Sequence, residues 1–329
     1  MLEKNDIIIS IITFSLNLSM MLDIWGYVSE FLEKDNDRCR LLMSCKEFSK
    51  CQIYFQEKNY IDQIIRSSFF DRFKNVHTYE KSLLPSGVTH LTFSRKFNQS
   101  IENYIPSTVT HLVFGEYFEQ SIYDCIPSSV THLALGQSFN KIVPGAIPHT
   151  VTHLEYNCYG DGLIKDFIPS SVIHLTFGDI FNRSIYNCIP SSVIYLEFGM
   201  DFNHPIQNCI PSAIMSGCVD TSKYHRYCLP ESITHLIFGH DFDQPVKGLP
   251  SSITHLKFGY CFDHPIDDLP ESITHLTFVM YEGFLEHLPK SVTDIIYHYV
   301  KDFDSEIIEY VSEICWEKEI DLLLVLDDV

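Results

Sequence analysis

The chain has 329 residues, with 23 Lys+Arg against 43 Asp+Glu and a formal net charge of −20. Its 45% apolar and 13% aromatic content supplies a packed interior, and its length exceeds the ~250–300 residues that one hydrophobic core ordinarily serves. The carboxylate surplus excludes general nucleic-acid binding, which needs a basic face toward the phosphates. The charge is regional: −1 over residues 1–83, −11 over 84–299 and −8 over 300–329. None of the 15 prolines lies before Pro85 or after Pro289. Three regions are therefore expected.

At the N-terminus, Ile7–Leu18 form an apolar run of 12 residues, shorter than the ~20 a membrane span needs. Glu3 and Asp6 precede it and no small-residue cleavage site follows, unlike a secretory leader. The 11 cysteines include Cys39, Cys45 and Cys51 at six-residue steps, wider than zinc-knuckle spacing. Reduced thiols and a cytoplasmic location are the expectation. Residues 1–19 precede the first module and match nothing in it, so Met20 or Met21 is the expected true start.

Residues 21–60 hold one glycine, Gly26, and place Leu22, Trp25, Val28 and Leu32 at helical spacing, with Leu41, Leu42 and Cys45 continuing it. The stretch from Met21 to Leu32 followed by Asp37 to Phe48 is similar to the F-box. Asp23 stands where that family usually has proline, and Phe48 where it has tryptophan. The resemblance implies that Leu22, Ile24, Val28, Leu32, Leu41 and Cys45 dock the Skp adaptor of a cullin–RING ubiquitin ligase. Read from the residues alone, a helical cap on a repeat array remains open. Residues 61–83, rich in Ile and Phe, are expected to form a helical linker covering the first repeat.

From Leu84 onward the chain repeats. Units begin at Leu84, Ile105, Ile126, Ile147, Ile168, Ile189, Ile210, Leu229, Leu249, Leu269 and Leu288, at steps of 19–21 residues, and 11 of the 15 prolines are the second residue of a unit. Within a unit the pattern is Val88-x-x-Leu91-x-Phe93, then Phe97 and Ile101. Leu91 and Phe93 point to one side of a short strand, His90 and Thr92 to the other. Glycines such as Gly115, Gly136, Gly178 and Gly199 follow at the strand end, where the chain turns. One strand cannot bury its own apolar face, so the units must stack into a parallel sheet over a continuous core.

The spacing resembles the strand of leucine-rich repeats, which implies a solenoid with a parallel concave sheet. The run 171–185, together with Phe202-Asn203-His204-Pro205, more closely resembles the FNIP repeat. Asn98 lies two positions later than the turn Asn of leucine-rich repeats, so the resemblance does not carry their ladder of backbone hydrogen bonds over to this chain. F-box plus FNIP arrays are a combination associated with large amoeba-infecting viruses and social amoebae, which would place a viral member in the host cytoplasm.

His90, His111, His132, His153, His174, His235, His255 and His275 share one strand position, with neighbours expected ~4.8 Å apart. A ladder presents imidazoles in parallel, whereas a metal needs them convergent, and a catalytic constellation occurs once and not in every unit. No catalytic residue, metal or cofactor is expected. Cys125, Cys188, Cys209 and Cys228 read as small residues of the solenoid wall. The unit at 210–228 is irregular, with Gly217 where the inward leucine belongs and an aromatic–basic cluster at Lys223, Tyr224, Arg226 and Tyr227. It reads either as an eroded repeat that still stacks or as a functional break in the ladder.

In residues 300–329, Ser305 can cap a helix carrying Ile307, Ile308, Val311, Ile314 and Trp316, an acidic terminal cap. The sequence as a whole therefore predicts an α+β repeat protein. An F-box-like helical module (20–60) and a linker (61–83) precede a leucine-rich-repeat-like solenoid (84–299), and a helical cap (300–329) ends it. Its expected role is substrate receptor of a Skp–cullin–F-box ligase, with Skp and through it a cullin as partners. The target would sit on the ladder residues His90, His111, His132, His153 and His174, or on Tyr224, Arg226 and Tyr227. The alternative is a scaffold for protein interaction without ligase function.

Overall fold

The computed structural model describes residues 59–61, 71, 73–141, 143–159, 166–206, 229–300 and 305–327. The F-box-like residues Leu22, Ile24, Val28, Leu32, Leu41 and Cys45 lie outside these, as do Tyr224, Arg226 and Tyr227. The described residues fall into two compact units. One comprises those up to Thr78 with Ser82–Leu91, the other Tyr79–Lys81 and Thr92 onward.

In the first unit, β1 (Asn59–Tyr60) pairs in parallel with β2 (Asn75–Thr78), and the Tyr60 and His77 rings stack 4.7 Å apart. The helical linker expected over 61–83 is therefore corrected: Asn75–Thr78 is a strand with Val76 and Thr78 buried. Its alternating polar and buried positions give period two, which the Phe- and Ile-rich stretch before it conceals.

The strand β3 (His90–Phe93) straddles the boundary between the two. The second unit holds ten further strands: β4 (His111–Val113), β5 (His132–Leu135), β6 (His153–Tyr156), β7 (His174–Phe177), β8 (Tyr195–Glu197), β9 (His235–Ile237), β10 (His255–Lys257), β11 (His275–Val279), β12 (Asp294–Tyr299) and β13 (Asp321–Leu326). Each pairs in parallel with the next; histidine stands opposite histidine and leucine opposite leucine from β4 to β7 and from β9 to β11, while Tyr195 and Asp294 take the histidine's place in β8 and β12.

One repeat is a short strand and three tight turns. In the unit that starts at Ile105, Val109 N–H donates to Pro106 O, Phe118 N–H to Gly115 O and Cys125 N–H to Ile122 O, at 3.0–3.2 Å. Val109, Leu112, Phe114, Phe118 and Ile122 are all buried, so every corner contributes an apolar residue to the core. Phe pairs close the interior: Phe198 and Phe202 lie 3.9 Å apart and stack on Phe238 and Phe242 of the next unit at 5.8 and 6.0 Å. In six units the third turn takes a left-handed residue, supplied by Asn103, Asp124, Asp166 and Asn187 at φ 52–61° and by Gly145 and Gly248, the residue types that tolerate it.

Polar side chains join the units. The second serine of Pro-Ser-Ser donates to the preceding unit's Val or Ile carbonyl, as in Ser171 Oγ to Val151 O and Ser192 Oγ to Val172 O, both 2.7 Å. The Asn after the second Phe accepts the next unit's backbone N–H: Asn98 Oδ1 from Glu119 at 3.0 Å, Asn182 from Asn203, and Asn203 from Asp243. A side-chain ladder on backbone N–H groups thus exists, two positions later than the turn Asn of leucine-rich repeats. The strand-end glycines serve close approach between units. A Cβ on Gly136 would lie 1.9 Å from Gly115 O, and one on Gly239 1.9 Å from Gly199 O.

β8 pairs directly with β9, Tyr195 opposite His235; the irregular unit at 210–228, for which an eroded repeat or a functional break was expected, lies outside the described residues. At the C-terminus, α1 (Ser305–Glu317) forms as expected, with Val311 and Cys315 buried and Trp316 87% exposed. The expected all-helical cap is corrected by β13, which extends the sheet. Among the described residues, no helix is long and apolar enough to cross a membrane.

Candidate functional site: the histidine face of the sheet

The leucine of each strand points into the core, which turns the histidine before it onto the open face of the sheet. Parallel register then stacks the imidazoles. Ring centroids are 4.0 Å apart for His111–His132, 4.1 Å for His132–His153 and 4.4 Å for His153–His174. After Tyr195, which stands 5.2 Å from His174 and 6.1 Å from His235, stacking resumes at 4.2 Å for His235–His255 and 4.1 Å for His255–His275. The expected candidates His111, His132, His153 and His174 thus form one continuous row, joined across the tyrosine by three more. His90 belongs to β3, in the first unit.

Threonine orients the row. Thr110, Thr131, Thr152, Thr234, Thr254 and Thr274 each hold Oγ1 2.8–2.9 Å from Nδ1 of the following histidine. The same oxygens, in Thr131, Thr152, Thr254 and Thr274, lie 3.2–3.4 Å from the carbonyl oxygen of the preceding unit's threonine. A hydroxyl that donates to that carbonyl accepts from Nδ1–H, leaving Nε2 as an acceptor on the open face. Burial lowers the pKa of His153, His235 and His255, and neighbouring imidazoles lower it further; for His255, Asp294 opposes the shift. His90 is lowered by burial alone. These shifts favour the neutral form of His153, His235 and His255.

Two clefts lie on this face. One of about 390 Å³ is lined by His111, His132, His153, His174, Tyr195 and Glu197; Tyr195 donates to Glu197 at 2.9 Å, which with burial pushes its phenol up to about 12. The other, of about 430 Å³, is lined by His235, His255 and His275 with Ile237, Ile296 and Leu323, and Asp294 approaches His275 Nε2 at 3.4 Å. Both clefts are amphipathic, the first with Val113 and Ala134 beside its imidazoles. Successive imidazoles of the row face the same way, so their nitrogens do not converge on one point.

Of the wall cysteines, Cys125 and Cys188 direct Sγ to the carbonyls of Tyr123 and Tyr186 at 3.2 Å, as small structural residues do. Cys209 and Cys228 lie outside the described residues. One cluster was missed by sequence reasoning. His240, Asp241 and Cys261 place their ligating atoms within 4.8 Å of one another, the one such group among the described residues. The signal was the 20-residue step from Asp241 to Cys261, one repeat period, which linear motif spacing does not count.

A solved protein, CroV588, described as having a novel circular LRR protein structure, matches this chain at 31% identity and a TM-score of 0.57. The match covers 78% of this chain and 37% of that one, so the chain spans little more than a third of its solved relative. No curated protein matches. The family model for the FNIP Repeat matches residues 75–117, 118–159, 161–201, 181–216 and 225–261, together more than half of the sequence. Those matches coincide with the strand-and-three-turn units and with the Phe-Asn step whose side-chain ladder joins them, and the chain belongs to the FNIP Repeat family.

Proposed function

We propose that the chain is a non-catalytic protein-interaction scaffold that takes its partner on the histidine face. The observation that supports this most directly is the row of stacked imidazoles from His111 to His275, flanked by two clefts on one open sheet face. Such a row offers hydrogen-bond acceptors at regular spacing along the sheet, which suits an extended protein segment and no single small substrate. The test replaces His132, His153 and His174 with alanine. Loss of partner capture with an unchanged circular dichroism spectrum supports the reading, and undiminished capture refutes it. The same assay with Tyr224, Arg226 and Tyr227 replaced by alanine tells whether the irregular segment contributes.

The finer reading is that of a substrate receptor. Residues 20–60 would dock a Skp adaptor through Leu22, Ile24, Val28, Leu32, Leu41 and Cys45, and through it a cullin, in the cytoplasm. The pattern from Leu22 to Phe48 supports it. Co-purification with the adaptor is the test: charged residues at Ile24 and Leu41 should abolish it while leaving the repeats folded. If the intact chain does not capture the adaptor at micromolar concentration, the scaffold stands without a ligase role.

A further inference from the structure

Beyond each strand the first two loop residues line up with those of the adjoining units. A recurrent backbone bond holds them, the second residue's N–H donating to the first residue's carbonyl one unit earlier: Ser138 to Glu116, Asp201 to Asp179, Asp241 to Met200 and Cys261 to His240, at 2.7–2.9 Å. At most steps these columns mix groups with no shared chemistry, such as Gln137 with Glu116 or Met200 with Asp179. At the step from β9 to β10 they juxtapose an imidazole, a carboxylate and a thiol.

His240 Nδ1 lies 3.7 Å from Cys261 Sγ and 2.6 Å from Asp241 Oδ1. With Zn–N of ~2.0–2.1 Å and Zn–S of ~2.3 Å, a tetrahedral site has an N···S edge of ~3.6 Å, so the first distance already fits, while the N···O distance must open to ~3.3 Å. The Tyr260 ring lies 5.0 Å from the His240 ring and within 6° of parallel, which fixes the imidazole plane. The cysteine's own backbone N–H is tied to His240 O at 2.9 Å. All three side chains are exposed, so an ion can reach them without any rearrangement of the core.

We infer that His240 Nδ1, an Asp241 carboxylate oxygen and Cys261 Sγ form a binding site for a divalent transition-metal ion of the zinc class, with water as the fourth ligand. One imidazole and one thiolate select such an ion over magnesium or calcium. Binding releases the thiol proton to solvent, and His240 coordinates as a neutral imidazole whose single proton sits on Nε2, so the Nδ1–Asp241 hydrogen bond is given up. Thiolate, carboxylate and ion sum to zero charge, so the filled site carries none. Without the ion, burial and then Asp241 and Asp243 push the Cys261 thiol up, and the same carboxylates attract a cation. Asp243 is held in turn, accepting the Asp263 N–H at 3.1 Å. The ion would clip two adjacent repeats together at the strand ends, away from the histidine face, so the site is independent of the proposed partner surface.

The test is titration of the full chain with Co²⁺, whose thiolate complex absorbs in the near ultraviolet. Expected are one equivalent bound at micromolar affinity, loss of that equivalent's sulfur–cobalt band in Cys261→Ser, and affinity weakened about tenfold or more in His240→Ala, the scale on which site groups act. Circular dichroism of both variants should match the parent, since the side chains are exposed. An identical band in Cys261→Ser would place the ion on other cysteines and overturn the assignment. So would unchanged affinity in His240→Ala, or no cobalt uptake at micromolar concentration.

Discussion

Tyr195 and His235 sit opposite each other on adjacent parallel strands although 40 residues separate them, about twice the usual step. Every joint of the array is carried across the gap. Ser232 Oγ donates to Val193 O at 2.6 Å, Asn203 Oδ1 accepts the Asp243 N–H at 3.0 Å, and Gly239 abuts Gly199. The unit at 210 starts with Ile-Pro-Ser but has Gly217 in place of the inward leucine. A buried leucine contributes ~1.5–3 kcal/mol, and without it a strand there has little to hold it between two regular neighbours that fit each other.

Replacing residues 207–228 by Tyr-Asn-Cys, the link that joins Ile185 to Ile189, restores a 21-residue step from Ile189 to Leu229. The shortened chain is expected to fold, with its urea midpoint close to that of the parent. A collapse in stability would show that the segment supports the sheet after all.

The glycine columns predict a contrast within one residue type. Gly239→Ala drives a Cβ to 1.9 Å from the Gly199 carbonyl oxygen, a clash with backbone that should cost ~3 kcal/mol, the upper end for overpacking. Gly145→Ala meets no atom within 4 Å and is opposed only by its φ of +79°, a penalty of about 1–2 kcal/mol. Denaturant unfolding of the two variants checks the order.

Asn203→Ala removes the acceptor for the Asp243 N–H and for Gln244 Nε2 and should cost ~1 kcal/mol, as an exposed hydrogen bond does. Asn203→Asp keeps the acceptor, as Asp243 itself does toward Asp263, and should leave the midpoint nearly unchanged. Equal losses in both would mean that the ladder oxygen is not what matters at this position.

Acidification should weaken the array. The folded-state pKa values of His153, His235 and His255 are lowered, by burial first and by neighbouring imidazoles second. A lowered base binds fewer protons folded than unfolded, so its stability is complete above the unfolded value of ~6.5 and declines as pH falls through it. Asp294 offsets part of this at His255, and Glu155 and Glu197 border the same face. Unfolding between pH 7.5 and 5.5 should show the loss, with a shallower slope in His153→Gln. A slope of the opposite sign would mean that the carboxylates outweigh the imidazoles.

The repeat period, the inward Leu and Phe and the outward His were legible in sequence because each position meets the same surroundings in every unit. Relations between units were not. Asn98 was judged against the turn of another repeat class, yet its Oδ1 serves Glu119, one period ahead. Cys261 has no cysteine near it along the chain, while the group beside it is His240, in the preceding unit. The last strand, Asp321–Leu326, escaped notice because it lacks the Pro-Ser-Ser and His-Leu marks and leaves Leu323 and Leu326 half exposed at the sheet edge, so no alternation announces it.

Column stacking also decides which substitutions will interact. Phe181 touches Phe177 in its own unit and meets Phe202 of the next at 6.1 Å, whereas the sequence neighbour Asn182 faces outward toward Asn203. Double-mutant cycles should therefore find coupling between positions one period apart and near-additivity between many adjacent ones, the reverse of what linear distance suggests. For this chain the informative coordinate of a residue is its place within the repeat, and a library that varies one column samples a continuous stripe of surface.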